Sequence, residues 1–419
     1  MLNRRRFLGA LGAGAATLTL WRGISAAATG ADTRLLVLML RGGLDGLHAL
    51  PPYGDPAYAR LRGTLALAPD GAQPALKLDG NFALHPQLAF AAQLYGRGEF
   101  MPLAAVAPPY WGRSHFDAQD CVENGTDAPH GAQTGWINRA IAAMPGVDGL
   151  AVAAVMPLIM RGPANVETWS PPLPLHVDPV LLQRLEPLYG EDPLLAAAFA
   201  QALGNQGAGM DQVLDAGGQS GDAADPGMAM KQGMQLGSEG DKAALAKAAA
   251  RGRLPALMKS AGGMMAAASG PRIAFVEDYG WDTHANQAAI LGRKLKELDD
   301  AYAAFHDAIG PAWSKTVVVT VTEFGRTAAI NGTGGTDHGT GAALFLVGGA
   351  VHGGRVGGQW PGMAPEQLYQ QRDIHATTDL RAVFKGVLAD HLRLGDAVLA
   401  EKIFPGSARL ARYEGLLRA

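Results

Sequence analysis

Thr316-Val-Val-Val-Thr-Val-Thr322 runs without a break into Glu323-Phe324-Gly325-Arg326. Every residue of the first stretch is β-branched, and no polar alternation marks a solvent face. Such a run reads as a strand buried on both sides, and such strands belong to parallel sheets covered by helices. The same grammar recurs along the chain. Leu35–Leu40 (LLVLML) runs straight into Arg41-Gly42-Gly43-Leu44-Asp45-Gly46, and Arg272–Val276 (RIAFV) ends at Glu277-Asp278-Tyr279-Gly280-Trp281-Asp282-Thr283-His284. Further strands are expected at Leu103–Ala107, Leu150–Val155 and Ala343–Val347. Helical patterns alternate with them at His85–Tyr95, 135–143, 241–268, Ala285–Ile309 and Thr377–Leu388, the last with Thr377 or Thr378 near its cap. The expectation is an α/β fold, a mostly parallel sheet sandwiched between helices.

The ends of the chain and its composition set the frame. Arg4-Arg5, followed by Arg6, Phe7 and Leu8, opens an apolar Ala/Gly/Leu run to about Leu20, and Ser25-Ala26-Ala27-Ala28 suits a signal peptidase. Residues 1–28 read as a twin-arginine export signal. The run is too short and glycine-rich for a membrane anchor. The expected mature chain, 29–419, is therefore periplasmic, has no membrane span, and has the twin-arginine translocation machinery as a partner. Removing residues 1–28 takes away four arginines and no acid, so the formal charge moves from −3 to −7. An acidic chain of this kind has no electrostatic reason to bind nucleic acid. Cys121 is the only cysteine, which excludes an internal disulfide and a thiolate metal cluster. The 56 glycines and 26 prolines point to many loops on one α/β domain. Residues 203–240, rich in Gly, Gln, Asp, Ala and Met, read as a flexible insertion.

The chemistry is expected beyond the strand ends, where open α/β sheets bind ligands. Asp45, Asp282 and Glu323 each follow a strong strand, and His284 and the Asp337-His338 pair lie in loops able to reach the same edge. Packed carboxylates repel one another, and a divalent cation resolves the conflict. A carboxylate/imidazole set without cysteine suits zinc, manganese, magnesium or calcium. Each residue also has a plainer reading: Asp45 as a turn residue bonding its own backbone, Glu323 as an ion pair with Arg326. Ser114, after a strand and a Pro/Gly-rich loop, reads both as a nucleophile and as the cap of a helix starting near His115. Arg113, Arg41 and Arg326 are candidate clamps for an anion. No Gly-x-Ser-x-Gly elbow, dinucleotide fingerprint or phosphate-binding loop is present.

Arg41-Gly-Gly-Leu-Asp-Gly, Arg113-Ser-His-Phe, Gly280-Trp-Asp-Thr-His-Ala-Asn-Gln, Thr322-Glu-Phe-Gly-Arg-Thr and Gly335-Thr-Asp-His-Gly, in that order, resemble the hallmarks of the bacterial family known as domain of unknown function 1501. Its members typically carry twin-arginine signals. The resemblance implies a relation to the alkaline phosphatase and sulfatase superfamily, and hence an alkaline phosphatase-like fold. By that relation Asp45 is the first metal ligand and Ser114 the nucleophile. Asp282 with His284 resembles the Asp/His set, at closer spacing than usual, and His338 resembles the last His. Glu323-Phe324 stands where the superfamily has Asp-His. Phe324 cannot ligate, so Asp337 replaces it, or the two-metal site is reduced to one ion or lost. Two functions follow as expectations. One is a metal-dependent hydrolase of phosphate or sulfate esters, taking an anionic ester as substrate. The other is a non-catalytic envelope protein that keeps the scaffold for binding or assembly.

Overall fold

The structure is a computed structural model that describes residues 32–153, 155–171 and 253–418. The expected export signal, the insertion at 203–240 and the start of the helix expected from 241 lie outside the described residues. Apart from Ser170 and Pro171, the described residues belong to one compact unit formed by the segments up to Trp169 and from Gly252 onward.

Eight strands form one sheet: β1 (Arg34–Arg41), β2 (Phe100–Ala107), β3 (Gly149–Val152), β4 (Val166–Trp169), β5 (Ile273–Tyr279), β6 (Thr316–Val321), β7 (Ala342–Val347) and β8 (Thr378–Asp379). Their order is β8-β2-β7-β6-β1-β5-β3-β4. β1 lies between β5 and β6 and runs parallel to both, with Leu38 beside Val276 and Thr320. Only β7 is reversed, antiparallel to both β2 and β6. This α/β architecture, with a large and mostly parallel sheet, is the one expected. The reversal matters for the site. Because β7 starts where β6 ends, the whole connection 322–341 stays at the carboxyl edge of β1, β5 and β6.

Both faces of β1 are buried, which is why its sequence shows no alternation. Leu36, Leu38 and Leu40 join a core with residues of three helices: α2 (Ala89–Gly96), α5 (Arg253–Ala266) and α6 (Gln287–Ile309). Leu35, Val37 and Met39 face the other way, onto α3 (His115–Asn124), α4 (Trp136–Ala142) and α7 (Leu380–Leu392). The short α1 (Gly46–Ala49) follows β1 directly. Among the described residues no helix is long and apolar enough to cross a membrane.

Two helix starts differ from the sequence expectation. α2 begins at Ala89, not His85, because Pro86 and the Gln87 N–H to His85 Nδ1 bond (3.1 Å) hold a non-helical turn first. The carboxylate of Asp299 on α6 then accepts from Phe90 N and Ala91 N, both at 2.9 Å, and satisfies the free donors of the new helix. α7 is capped by Asp379, which accepts from Arg381 N at 2.8 Å. Thr378 is instead engaged in β8 opposite Val106.

His391 on α7 is buried, and its Nε2 donates to the carbonyl of Arg34 at the start of β1 (2.9 Å). Burial pushes its pKa down to about 4. In the unfolded chain an imidazole binds its proton near pH 6.5, so below that pH the unfolded state takes up more protons than the native one. The stability His391 confers is therefore complete above pH 6.5 and is lost as the pH falls toward 4. Between pH 7 and 4.5 this amounts to about 2 kcal/mol. Urea unfolding of wild type and His391→Gln at both pH values checks it. Gln keeps a donor for the Arg34 carbonyl, so the variant should show an acid loss smaller by about that amount.

Candidate metal centre

Three loops converge at the carboxyl edge, following β1, β5 and β6. Gly42, at φ +124°, makes the convergence possible, since a Cβ there would meet Asp282 N at 2.5 Å. Gly335 allows a second close approach, because a Cβ there would lie 2.3 Å from the backbone of His284. Arg326 is wholly buried and knits the loops together. It donates to the carbonyls of Gly43 (2.7 Å), Gly42 (2.8 Å) and Thr336 (3.2 Å), and its Nη2 pairs with the carboxylate of Asp282.

Within this frame three imidazoles and one carboxylate face one another. His338 Nε2 lies 2.9 Å from His115 Nε2 and 3.0 Å from His284 Nε2. Asp282 Oδ1 lies 3.0 Å from His284 Nε2 and 3.3 Å from His338 Nε2, and Asp282 Oδ2 lies 3.5 Å from His115 Nε2. His115, Asp282 and His338 each offer one ligand atom within 4.8 Å of the others. Ligands about 2.0–2.1 Å from a tetrahedral ion lie about 3.3 Å from each other, and the facing atoms of His115, Asp282 and His338, 2.9 to 3.5 Å apart, fall near that spacing.

The outer nitrogens decide which atoms point inward. His338 Nδ1 is 3.0 Å from the carbonyl of Arg113, which can only accept, so Nδ1 carries the hydrogen. His115 Nδ1 lies 2.7 Å from Glu323 Oε1, and His284 Nδ1 lies 3.4 Å from Asp337 Oδ1. Each ring thus has a carboxylate or carbonyl behind it, the arrangement that orients metal-binding histidines. With their hydrogens on Nδ1, His115 and His338 turn their Nε2 lone pairs toward each other at 2.9 Å, a clash that a proton or a cation would reconcile. Although burial pushes Glu323 upward, His115, Gln119 and Gly42 N–H hold its carboxyl below the ordinary range. Burial likewise opposes ionisation of Asp282, and Arg326 overrides it. Glu323 raises the pKa of His115, whereas burial and the charge of His115 lower that of His338.

Glu323 therefore sits behind His115 and not inside the cluster, where it also accepts from Gly42 N (2.8 Å) and Gln119 Nε2 (2.9 Å). Asp337, which bonds Asn331 as well as His284, takes the same supporting position. Asp45 lies apart, fully buried: its carboxylate pairs with Arg62 and accepts from Gln287 Nε2 (2.5 Å) and Leu47 N (3.0 Å). Ser114 caps α3, its Oγ 3.5 Å from Asp117 N, and so places His115 in the first turn. Among the described residues all three candidate arginines already have partners. Arg113 is paired with Asp373 (2.6 Å), Arg326 is spent on the loops, and Arg41 joins Glu123 (2.8 Å) and Glu277 (2.7 Å). Asp278 at the end of β5 belongs to Lys294 and Trp281. Sequence alone does not single out His115 as a ligand, although it stands inside the Arg113-Ser-His-Phe motif. Its signal was there, next to a serine that reads more readily as chemistry.

Comparison with known proteins adds one relation. A search of curated proteins finds no match. The family model described as Protein of unknown function (DUF1501) matches residues 194–403. That span is half of the chain and contains Asp282, His284, Glu323, Arg326, Asp337 and His338. The chain belongs to the DUF1501 family.

Proposed function

We propose that this chain is an exported hydrolase of phosphate or sulfate esters that depends on a single divalent cation, working in the periplasm on an alkaline phosphatase-like scaffold. The observation that carries the reading is the cluster of His115, Asp282 and His338, with His284 Nε2 3.0 Å from both His338 Nε2 and Asp282 Oδ1. Three nitrogens and one oxygen favour zinc, or manganese, over the all-oxygen shells of magnesium and calcium. Such an ion supplies Lewis-acid neutralisation of the ester's anionic oxygens. The chain's own residues do the rest. Glu323, Asp337 and the Arg113 carbonyl fix the ring orientations, and Arg326 fixes Asp282. Ser114 is the proposed nucleophile, placed beside His115 at the N-terminus of α3, where free N–H groups favour a developing alkoxide.

Phe324 favours a second reading. It is buried, with its ring centroid 4.7 Å from that of His115 and 5.0 Å from that of His338, and it offers no ligand for another ion. A centre closed off on that side also fits an envelope binding or assembly protein.

The chelator-treated chain, reloaded with zinc, is expected to hydrolyse p-nitrophenyl phosphate or sulfate. Activity should vanish in His338→Ala, and in Ser114→Ala with zinc binding retained. Zinc binding without any hydrolysis would support the second reading. Export is tested separately: replacing Arg4 and Arg5 by Lys should trap the precursor in the cytoplasm, and unchanged periplasmic delivery would refute the signal.

A further inference from the structure

His115, Gln119 and Glu123 recur at every fourth residue of α3 and so share one side of the helix. That side meets the carboxyl edge of the sheet. His115 Nδ1 lies 2.7 Å from Glu323 Oε1, and Glu123 accepts from Arg41 at the end of β1 (2.8 Å). Arg41 also pairs with Glu277 of β5 (2.7 Å). Gln119 stands between the two groups and contacts both. Its Oε1 accepts from Arg41 Nη1 (2.8 Å), and its Nε2 donates to Glu323 Oε1 (2.9 Å). The histidine cluster and the Arg41 ion pairs are thus joined through one amide.

The orientation of that amide follows from its neighbours. A guanidinium can only donate, and an ionised carboxylate can only accept. Gln119 has one way to satisfy both, with its oxygen toward Arg41 and its nitrogen toward Glu323.

Attaching α3 to the sheet does not require this link. Arg41 already ties Glu123 to Glu277, and the second oxygen of Glu123 accepts from Ile159 N (3.0 Å). Gly42 N (2.8 Å) and Thr322 Oγ1 (3.0 Å) hold Glu323 from the strand side. What Gln119 adds is a donor to Glu323 from the same helix that carries His115, one turn away. The wholly buried carboxylate is thereby kept in register with the imidazole it backs.

We propose that Gln119 is a positioning residue of the metal centre: oriented by Arg41, it fixes Glu323 behind the His115 ring and so sets how strongly His115 Nε2 binds the cation. This role rests on the metal-centre reading. A carboxylate behind a metal-binding imidazole orients the ring and raises its strength as a ligand, and its removal weakens metal binding. An amide that anchors the carboxylate acts through the same ring, one step further back.

Calorimetric titration of the chelator-treated full chain with zinc tests this in a double-mutant cycle. Gln119→Met removes both contacts at a half-buried position and should weaken zinc binding about tenfold. In a Glu323→Met background the same change should have little further effect, because Gln119 no longer has a carboxylate to place. Gln119→Glu still accepts from Arg41 but sets a like charge against Glu323. It should also weaken zinc binding, although it adds negative charge near a cation. Cobalt gives a readout that fold stability alone does not move: in the cobalt-loaded chain, Gln119→Met and Glu323→Met should shift the visible absorption band in the same direction. Unchanged zinc affinity in Gln119→Met, additive losses in the double variant, tighter binding in Gln119→Glu, or a Gln119→Met cobalt spectrum identical to wild type would each overturn the proposal and leave the metal centre standing. Absence of saturable zinc binding in the wild type would instead remove the metal-centre reading, and this role with it.

Discussion

Asp45→Asn should lower the free energy of unfolding by about 3–5 kcal/mol, the cost of leaving one partner of a buried ion pair without the other. Neither Asp45 nor Arg62 has side-chain exposure to solvent. Burial alone would favour the neutral acid, but Arg62 keeps the Asp45 carboxyl below its ordinary range. Once the carboxylate is gone, the guanidinium retains one carbonyl among the described residues, that of Thr327 at 3.3 Å, while its Nε has no partner among them even in the wild type. Gln287, whose Oε1 already accepts from Thr283 (2.9 Å) and Thr336 (2.6 Å), loses its own anchor. The damage should spread to the loop that carries Asp282. Combining Asp45→Asn with Arg62→Met should restore most of the loss, because the uncompensated charge goes with the arginine. Urea unfolding of the two single variants and the double variant measures the coupling. Additive losses would show that Asp45 and Arg62 do not act as a pair.

The second large effect concerns the cation. His338→Ala and Asp282→Ala should each lower zinc affinity by more than ~100-fold, since each removes a donor from the middle of the cluster. Glu323→Gln should cost less, about 10–100-fold, because it keeps His115 in place and removes only the charge behind its ring. The order matters more than the sizes. A Glu323 that ligated directly would fall with His338, whereas the geometry puts it one bond behind His115. Thermal unfolding with and without zinc gives the same ranking, as a ligand bound only by the native state raises the melting temperature. Wild type should show the largest rise, Glu323→Gln an intermediate one and His338→Ala almost none.

Much of this arrangement is legible in the sequence because buried strands leave little choice. Thr316–Val321 and Leu35–Leu40 are apolar or β-branched on both faces, and the residues that end such strands face one sheet edge. Asp282 and Glu323 could be picked out on that ground, and His284 and the Asp337-His338 pair as loop residues able to reach the same edge. What sequence does not carry is direction and long-range pairing. Ala342–Val347 reads the same whether parallel or reversed, yet its reversal is what brings His338 to the edge. Asp45 follows its strand as Asp282 and Glu323 follow theirs, but Arg62 arrives from a single helical turn, Tyr58–Arg62, with no periodic signal, and claims its carboxylate. His115 is hidden for a related reason. It lies on a helix that meets the edge from β2, so its role rests on Glu323, 208 residues away in the chain.

The central claim is that His115, His284, His338 and Asp282 hold one divalent cation. Calorimetric titration of the chelator-treated chain with zinc tests it most directly. Saturation at one ion per chain, lost in His338→Ala and weakened in Glu323→Gln, is the predicted result. Absence of saturable binding, or undiminished binding in His338→Ala, would contradict it.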